Sequence, residues 1–261
     1  MPVTDLDLIS DAAQQAAEIA LKYWRTDQRV DYKDGGSPVS EGDFAVDAFL
    51  RSNLLAARPD YGWLSEETED DQTRLMQSRT FIVDPIDGTR AYVNGEITWS
   101  ISIAVVENGQ PTAGVVYLPA RDKLYLAAAG QGATLNGSAI ETGTNQDPEG
   151  AQVLANKKAL DPQWWAQTPP NVKRNFRPSL AYRFCLVAEG RYDALLTVMD
   201  AHEWDIAAGV LIAQEAGAKN SDRNGDAIQF NAPTPKAAGV FTAPQEMHNR
   251  LITLYTGRAP R

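Results

Sequence analysis

The stretch Asp84-Pro85-Ile86-Asp87-Gly88-Thr89 gathers two carboxylates, a backbone carbonyl between them and a hydroxyl. Oxygen ligands of this kind suit a hard cation, above all Mg2+. Upstream, Thr80-Phe81-Ile82-Val83 is a β-branched and aromatic run. It predicts a buried strand ending at Asp84, with Pro85 closing it in a tight turn. Gly88 and Thr89 are expected to open a helix whose free N–H groups suit an anion such as phosphate. Asp-Pro and Asp-Gly are also ordinary turn formers, so partners elsewhere in the chain must decide between a metal turn and a plain one.

Those partners need elements to carry them. Residues 4 to 25 place Leu6, Ile9, Ala13, Ala16, Ile19, Ala20 and Tyr23 three or four apart, with Thr4 as N-cap, which predicts an amphipathic helix. After the loop 33 to 38, Ser40 and Asp43 have the spacing of a capping box and start a second helix. Its expected inner side is Phe44, Ala48, Leu50, Leu54 and Leu55, with Pro59 beyond its end. Asp43 then lies in a first helical turn, where the helix dipole alone would favour an acid. Residues 61 to 65 read as a short strand delivering Glu66 and Glu67. Adjacent side chains diverge there, so one suffices as a ligand and the other can be exposed.

Beyond the central turn, 99 to 106, 113 to 118 and 124 to 127 predict an antiparallel meander, followed by a hairpin at Asn136-Gly137. The polar stretch 141 to 150 is the expected boundary between an N-terminal α+β half, 1–143, and a C-terminal α/β half, 144–261. The second half alternates: strand 152 to 155, helices near 162 to 167 and at 179 to 189, strand 194 to 199, helix from about 203 to 216, strand near 239 to 242, and a last helix from 245. In the 203 to 216 helix, Trp204, Ala207, Ala208, Leu211 and Ile212 make one apolar face, Asp205 lies in the first turn, and Ala207-Ala208-Gly209 permits close approach by another element.

Composition narrows the chemistry further. The 261 residues carry a net charge of -10, from 24 Lys and Arg against 34 Asp and Glu, which argues against a nucleic-acid polymer as partner. An anionic substrate needs bound cations to approach such a surface. Only His202 and His248 are present, so an imidazole-rich zinc site or a Ser/His/Asp triad has little to draw on. One cysteine, Cys185, excludes internal disulfides and fits a reducing cytoplasm. No apolar run is long enough to span a membrane, and the first residues lack the basic and apolar regions of an export signal.

Glu66, Asp84, Asp87 and Asp205 are thus four acids at expected strand ends, turns or helix starts. Ser65-Glu66-Glu67, Asp84-Pro85-Ile86-Asp87-Gly88-Thr89 and Trp204-Asp205-Ile206-Ala207-Ala208-Gly209, in that order and at those separations, closely resemble the motifs of the inositol monophosphatase superfamily. The resemblance covers essentially the whole chain. It implies a mixed α+β and α/β fold, the layered αβαβα sandwich of the inositol monophosphatase and fructose-1,6-bisphosphatase type, in a lithium-sensitive homodimer. It implies Glu66, Asp84, the Ile86 carbonyl, Asp87 and Asp205 as ligands for two or three Mg2+ ions. Gly88 and Thr89 would present amides to the phosphate, and Asp205 would also face the substrate. Asp43 would pair with Thr89; together they could hold and deprotonate an attacking water, with Glu66 contributing as base. Hydrolysis of a small phosphorylated metabolite would then proceed without a covalent phosphoenzyme.

Substrate choice rests on fewer residues. In the inositol enzymes a glutamate shortly before the Trp-Asp aspartate contacts the ring; here the corresponding position is Val198, beside Thr197. Residues 178 to 190, beginning Pro178-Ser179-Leu180, are similar to a helix of bacterial 3'-phosphoadenosine 5'-phosphate phosphatases. They supply Arg183, either for a second phosphate or as a solvated helix residue. Arg90-Ala91-Tyr92 after the threonine matches neither the Lys-Glu-Phe of nucleotidases nor the Thr-Asn-Phe of inositol enzymes. The expected substrate is 3'-phosphoadenosine 5'-phosphate, with inositol 1-phosphate and histidinol phosphate as alternatives. A non-catalytic metal or nucleotide sensor is the reading of another class; against it, the water-handling pair Asp43 and Thr89 is complete.

Overall fold

The computed structural model describes residues 3–257. Thr4 caps α1 (Asp5–Tyr23) by accepting from the Asp7 amide at 3.1 Å. A hairpin of β1 (Val30–Tyr32) and β2 (Pro38–Ser40) leads into α2 (Glu41–Ala57). The capping box at its start is closed from both sides: the Ser40 amide donates to Asp43 Oδ2 at 2.9 Å and the Ser40 hydroxyl donates to the same oxygen at 2.6 Å.

Next comes a seven-stranded sheet in sequence order: β3 (Gly62–Ser65), β4 (Arg79–Asp87), β5 (Ser100–Glu107), β6 (Gln110–Leu118), β7 (Lys123–Ala128), β8 (Ala133–Leu135) and β9 (Ser138–Ile140). Only β3 and β4 pair in parallel; the rest is antiparallel. A single-turn helix, α3 (Thr89–Val93), lies between β4 and β5. The second half holds β10 (Gln152–Ala155), β11 (Lys173–Asn175), α4 (Leu180–Ala188), β12 (Ala194–Thr197), β13 (Ala201–His202), α5 (Glu203–Glu215), β14 (Ala218–Ser221), β15 (Lys236–Ala237), β16 (Val240–Pro244) and α6 (Gln245–Thr256). Its five-stranded sheet runs β11-β10-β12-β16-β14, parallel among β11, β10 and β12 and antiparallel around β16.

Alternation along the strands sorts the core into layers. Phe81, Val83, Ile101 and Ile103 point to one face of the large sheet and pack with Ile9, Ala13 and Ala16 of α1 and with Val46 and Leu50 of α2. Ile82, Ala104 and Val116 point to the other face. There α4 and α5, through Phe184, Ala207 and Leu211, fill the space to Leu195 and Val240 of the second sheet. The far face of that sheet buries Val153, Leu196 and Phe241 against Met247 and Leu251 of α6. The layers are therefore αβαβα. No helix among the described residues is long and apolar enough to cross a membrane.

Several elements depart from the pattern read in the sequence. Phe44 and Ala48 are exposed; the inner side of α2 is Asp43, Val46, Asp47, Leu50 and Leu54, because two aspartates take places that an apolar stripe would fill. The helix expected near 162 to 167 is two 3-10 turns, Lys157–Leu160 and Pro162–Trp164, confined by Pro162 and by the prolines at 169 and 170. Instead of one apolar face, α5 is buried continuously from Ile206 to Ala213, as a helix between two sheets must be.

The expected close approach at Gly209 is present: a Cβ there would lie 2.8 Å from Phe184 of α4. Alanine is ordinarily the better helix former by about 1 kcal/mol. Overpacking a filled core costs about 1–3 kcal/mol and should dominate here. Gly209→Ala should therefore destabilise the protein in chemical denaturation, and a gain in stability would show that α4 and α5 can separate at little cost.

Candidate metal centre and active site

Pro85 does not end β4. Asp84 pairs with Ser102 and Asp87 with Ser100, so the strand continues past a register shift in which Pro85 and Ile86 bulge out of the ladder. A residue without an N–H is tolerated at such a bulge. The Ile86 side chain is buried against the α1 and α2 layer, and its amide donates to Asp84 Oδ1 at 3.0 Å. Its carbonyl accepts from Thr89 Oγ1 at 3.1 Å. Gly88 follows with φ +93°, where a Cβ would meet the Ser179 amide nitrogen at 3.2 Å, so both conformation and space call for glycine. Thr89 Oγ1 also lies 3.1 Å from Asp43 Oδ1, at the start of α2.

Three elements deliver the acids. Glu66 follows β3, where its amide donates to the Val83 carbonyl at 3.3 Å. Asp84 belongs to β4, and Asp205 lies in the first turn of α5. One carboxylate oxygen from each of Glu66, Asp84 and Asp205 lies within 4.8 Å of the others. Serines of β5 set this register: Ser102, opposite Asp84, donates to the Trp204 carbonyl at 3.3 Å, and Ser100, opposite Asp87, meets Ser179 Oγ at 3.0 Å.

Asp87 stands apart from that trio. Ser179 Oγ donates to its Oδ2 at 2.6 Å, the Ala181 amide to the same atom at 2.7 Å, and the Leu180 amide to Oδ1 at 3.1 Å. It thus caps α4 from another element. Arg183 is buried, not solvated: Nε donates to the Arg177 carbonyl at 2.5 Å and Nη2 to the Pro178 carbonyl at 3.2 Å, while the guanidinium covers Phe176.

Sequence reasoning missed Lys33, whose Nζ donates to Glu66 at 2.8 Å and to Glu67 at 2.7 Å. The Glu67 side chain is 3% exposed, so it is an ion-pair partner and not a solvated acid. Asp47 was missed as well, although it lies one helical turn beyond Asp43. It accepts from Ser65 Oγ at 2.5 Å and Thr68 Oγ1 at 2.6 Å, fixing the segment that bears Glu66. The only sequence signal was an acid repeated at i and i+4 on a face that is otherwise apolar.

Burial dominates the electrostatics. It pushes Asp43 up to about 6 despite the bonds from Ser40 and Thr89. Asp87 rises to about 6 for the same cause, held back by Ser179, the α4 amides and Arg183. Asp84 and Asp205 lie well above the ordinary carboxylate range: burial leads for both, followed for Asp84 by the charges of Glu66, Asp87 and Asp205, and for Asp205 by those of Asp87 and Glu66, with a hydrogen bond to Asp84 opposing. Glu67 reaches about 7 through burial, offset by Lys33. For Lys33 burial alone would lower the pKa, yet Glu66 and Glu67 hold it above its usual value. Burial brings Arg183 down to about 10, opposed by Asp87 and Asp205, so it stays cationic near neutral pH. Carboxylates this crowded cannot all ionise without added positive charge. Glu66, Asp84 and Asp205, with oxygen-only donors, fit a hard divalent cation on those grounds.

The layered αβαβα fold, with acids converging from the end of β3, from within β4 and from the first turn of α5, is that of a family of phosphatases. The profile of the inositol monophosphatase family matches residues 3–257, and the chain belongs to that family. Inositol monophosphatase 2 of Solanum lycopersicum is 31% identical over 244 residues, covering 87% of this chain and 90% of that protein. A histidinol-phosphatase of Mycobacterium tuberculosis is 31% identical over 262 residues, covering 95% and 96%. Among solved structures, the Thermotoga maritima IMPase superposes with a TM-score of 0.81 at 28% identity, covering 97% of this chain and 96% of that one.

The raised pKa values set the sign of a stability change with pH. An acid whose folded pKa exceeds its unfolded value binds more protons folded than unfolded between the two. After chelation, stability should therefore fall as pH rises from about 4 to about 7, the window set by Asp43, Asp87 and Glu67. Melting temperatures in chelator across that range check this; a divalent cation should flatten the profile and release protons on binding. A chelated protein that gains stability over the same window would contradict the assignment.

Proposed function

We propose that the protein hydrolyses a small phosphomonoester with Mg2+, using Glu66, Asp84, the Ile86 carbonyl, Asp87 and Asp205 as ligands. The observation that carries this is the trio of carboxylates within 4.8 Å beside the Thr89–Asp43 pair. When bound, the metal neutralises phosphate oxygens and lowers the pKa of water. The chain supplies the rest. Thr89 Oγ1 directs its proton to Asp43 Oδ1 and turns lone pairs toward an incoming water, so that water's proton can pass through the hydroxyl to Asp43. Burial of Asp43 favours its taking up that proton. The Gly88 and Thr89 amides would present N–H groups to the phosphate. A complete Thr89–Asp43 pair weighs against a non-catalytic sensor. The resemblance adds lithium sensitivity, a homodimer and a cytoplasmic setting to this reading.

Phosphate release should require Mg2+ and stop in chelator. Thr89→Ala should lower kcat by roughly 10²-fold with Mg2+ affinity preserved, because the hydroxyl positions water while the amide remains. An unchanged kcat, or a loss explained wholly by weaker metal binding, removes Thr89 from the proton path.

For the substrate we favour 3'-phosphoadenosine 5'-phosphate. Val198, where inositol enzymes carry a ring-contacting glutamate, is 1% exposed and offers no polar atom to an inositol hydroxyl. Arg183 is cationic and feels Asp87 and Asp205, and with Nε and Nη2 engaged it would meet a second phosphate through Nη1. Histidinol phosphate is the second reading, favoured by the likeness to histidinol-phosphatases. In side-by-side assays 3'-phosphoadenosine 5'-phosphate should exceed inositol 1-phosphate at least ~10-fold in kcat/KM, a difference of about 1.4 kcal/mol. Equal or reversed preference would return the inositol reading to first place.

A further inference from the structure

Phe176 is 46% exposed, a large apolar side chain left on the surface between β11 and α4. One face of its ring is covered by the Arg183 guanidinium, with Cζ 4.2 Å from the ring centroid. Arg183 is itself buried, and its bonds to the Arg177 and Pro178 carbonyls fasten the backbone that carries the ring. Cation-π contact and two backbone anchors hold a side chain that would otherwise rotate freely in water. Three residues on, Ser179 donates to Asp87 at 2.6 Å. A span of that length is at most about 11 Å even when fully extended. Ser179 in turn abuts Gly88, where a Cβ would meet its amide nitrogen at 3.2 Å, so Phe176 is tethered within about 11 Å of the residue beside the proposed phosphate position.

We propose that Phe176, clamped by Arg183, is a stacking shelf for a planar heteroaromatic ring in the substrate, such as a nucleobase or an imidazole. This rests on the phosphatase reading and adds a substrate class to it. A non-planar polyol phosphate has no π-face to lay on the ring, so the shelf discriminates between ring-bearing and ringless esters. Stacking on an aromatic side chain is sequence-tolerant and strong enough to set such a preference. In this arrangement Arg183 is a positioning residue for Phe176 and supplies positive charge beside Asp87 and Asp205.

The test compares Phe176→Ala, Phe176→Trp and Phe176→Leu with the parent protein. The ratio of kcat/KM for 3'-phosphoadenosine 5'-phosphate to that for glycerol 2-phosphate should fall about 10-fold in the Ala variant and be kept by Trp but not by Leu. Histidinol phosphate in place of the nucleotide separates an imidazole from a purine as the preferred ring. Adenosine 5'-monophosphate binding by calorimetry with Mg2+ present needs no turnover and should weaken about 10-fold in the Ala variant. A ratio and an affinity that do not change, or a Leu variant as good as Trp, would overturn the shelf. If no phosphomonoester is hydrolysed by the parent protein, the phosphatase reading fails instead, and calorimetry alone decides the shelf.

Discussion

Like charges collected in a place where water cannot screen them are the constraint from which this molecule is best understood. Glu66, Asp84 and Asp205 converge within 4.8 Å, with Asp43, Glu67 and Asp87 close behind. In an interior of low dielectric such a gathering is strongly repulsive unless each carboxylate is bonded, protonated or faced by a cation. The surrounding structure supplies those means one by one. Asp43 receives the start of α2, Asp87 the start of α4, and Glu66 and Glu67 the ammonium of Lys33. Of the trio, Asp84 and Asp205 have no cationic side chain of their own among the described residues, which leaves them suited to a hard cation.

The middle layer turns that cluster into a defined geometry. Asp84 and Asp205 come from a strand and a helix more than a hundred residues apart, and side-chain packing alone would leave their relative height loose. Ser100 and Ser102 remove that freedom, because each stands opposite one aspartate of β4 and bonds an element of the second half. Gly209 and Gly114 let α5 approach α4 and the large sheet closely, with a Cβ on either meeting a neighbour at 2.8 or 3.2 Å. Rigid pegs and small residues together hold the acids where repulsion would spread them.

Much of this was legible before any coordinates. Thr4 as the cap of α1, the capping box at Ser40 and Asp43, the meander, and the hairpin at Asn136-Gly137, whose φ values are +49° and +78°, follow from local rules. Motif order placed the acids in one superfamily, and the layer count came with it. Other features were hidden for physical reasons. Asp43 and Asp47 invert the apolar pattern of α2, so its apolar spacing points Phe44 inward although the side chain is exposed. The edge strand β14, Ala218-Lys219-Asn220-Ser221, has no alternation to read because it is short and its two central residues, Lys219 and Asn220, are polar and half-buried alike. Lys33 meets partners 33 and 34 residues away, a contact that no local pattern encodes. Strand β4 continues beyond Pro85 because the neighbouring strand accommodates two bulged residues, which is a property of the pair.

The position of α5 between the sheets has a consequence for synthesis on the ribosome. The large sheet is complete once residue 140 has emerged, yet Ile82, Ala104 and Val116 depend on α4 and α5 for cover. Until those helices are translated, the nascent half presents a greasy face to water, and its acids lack the partners that arrive with Ser179 and Asp205. At ordinary elongation speeds that interval lasts several seconds, long compared with hydrophobic collapse and with encounter between chains. With the acids gathered at the seam of two sheets, the unfinished chain therefore stays open to association with other chains until its second half arrives.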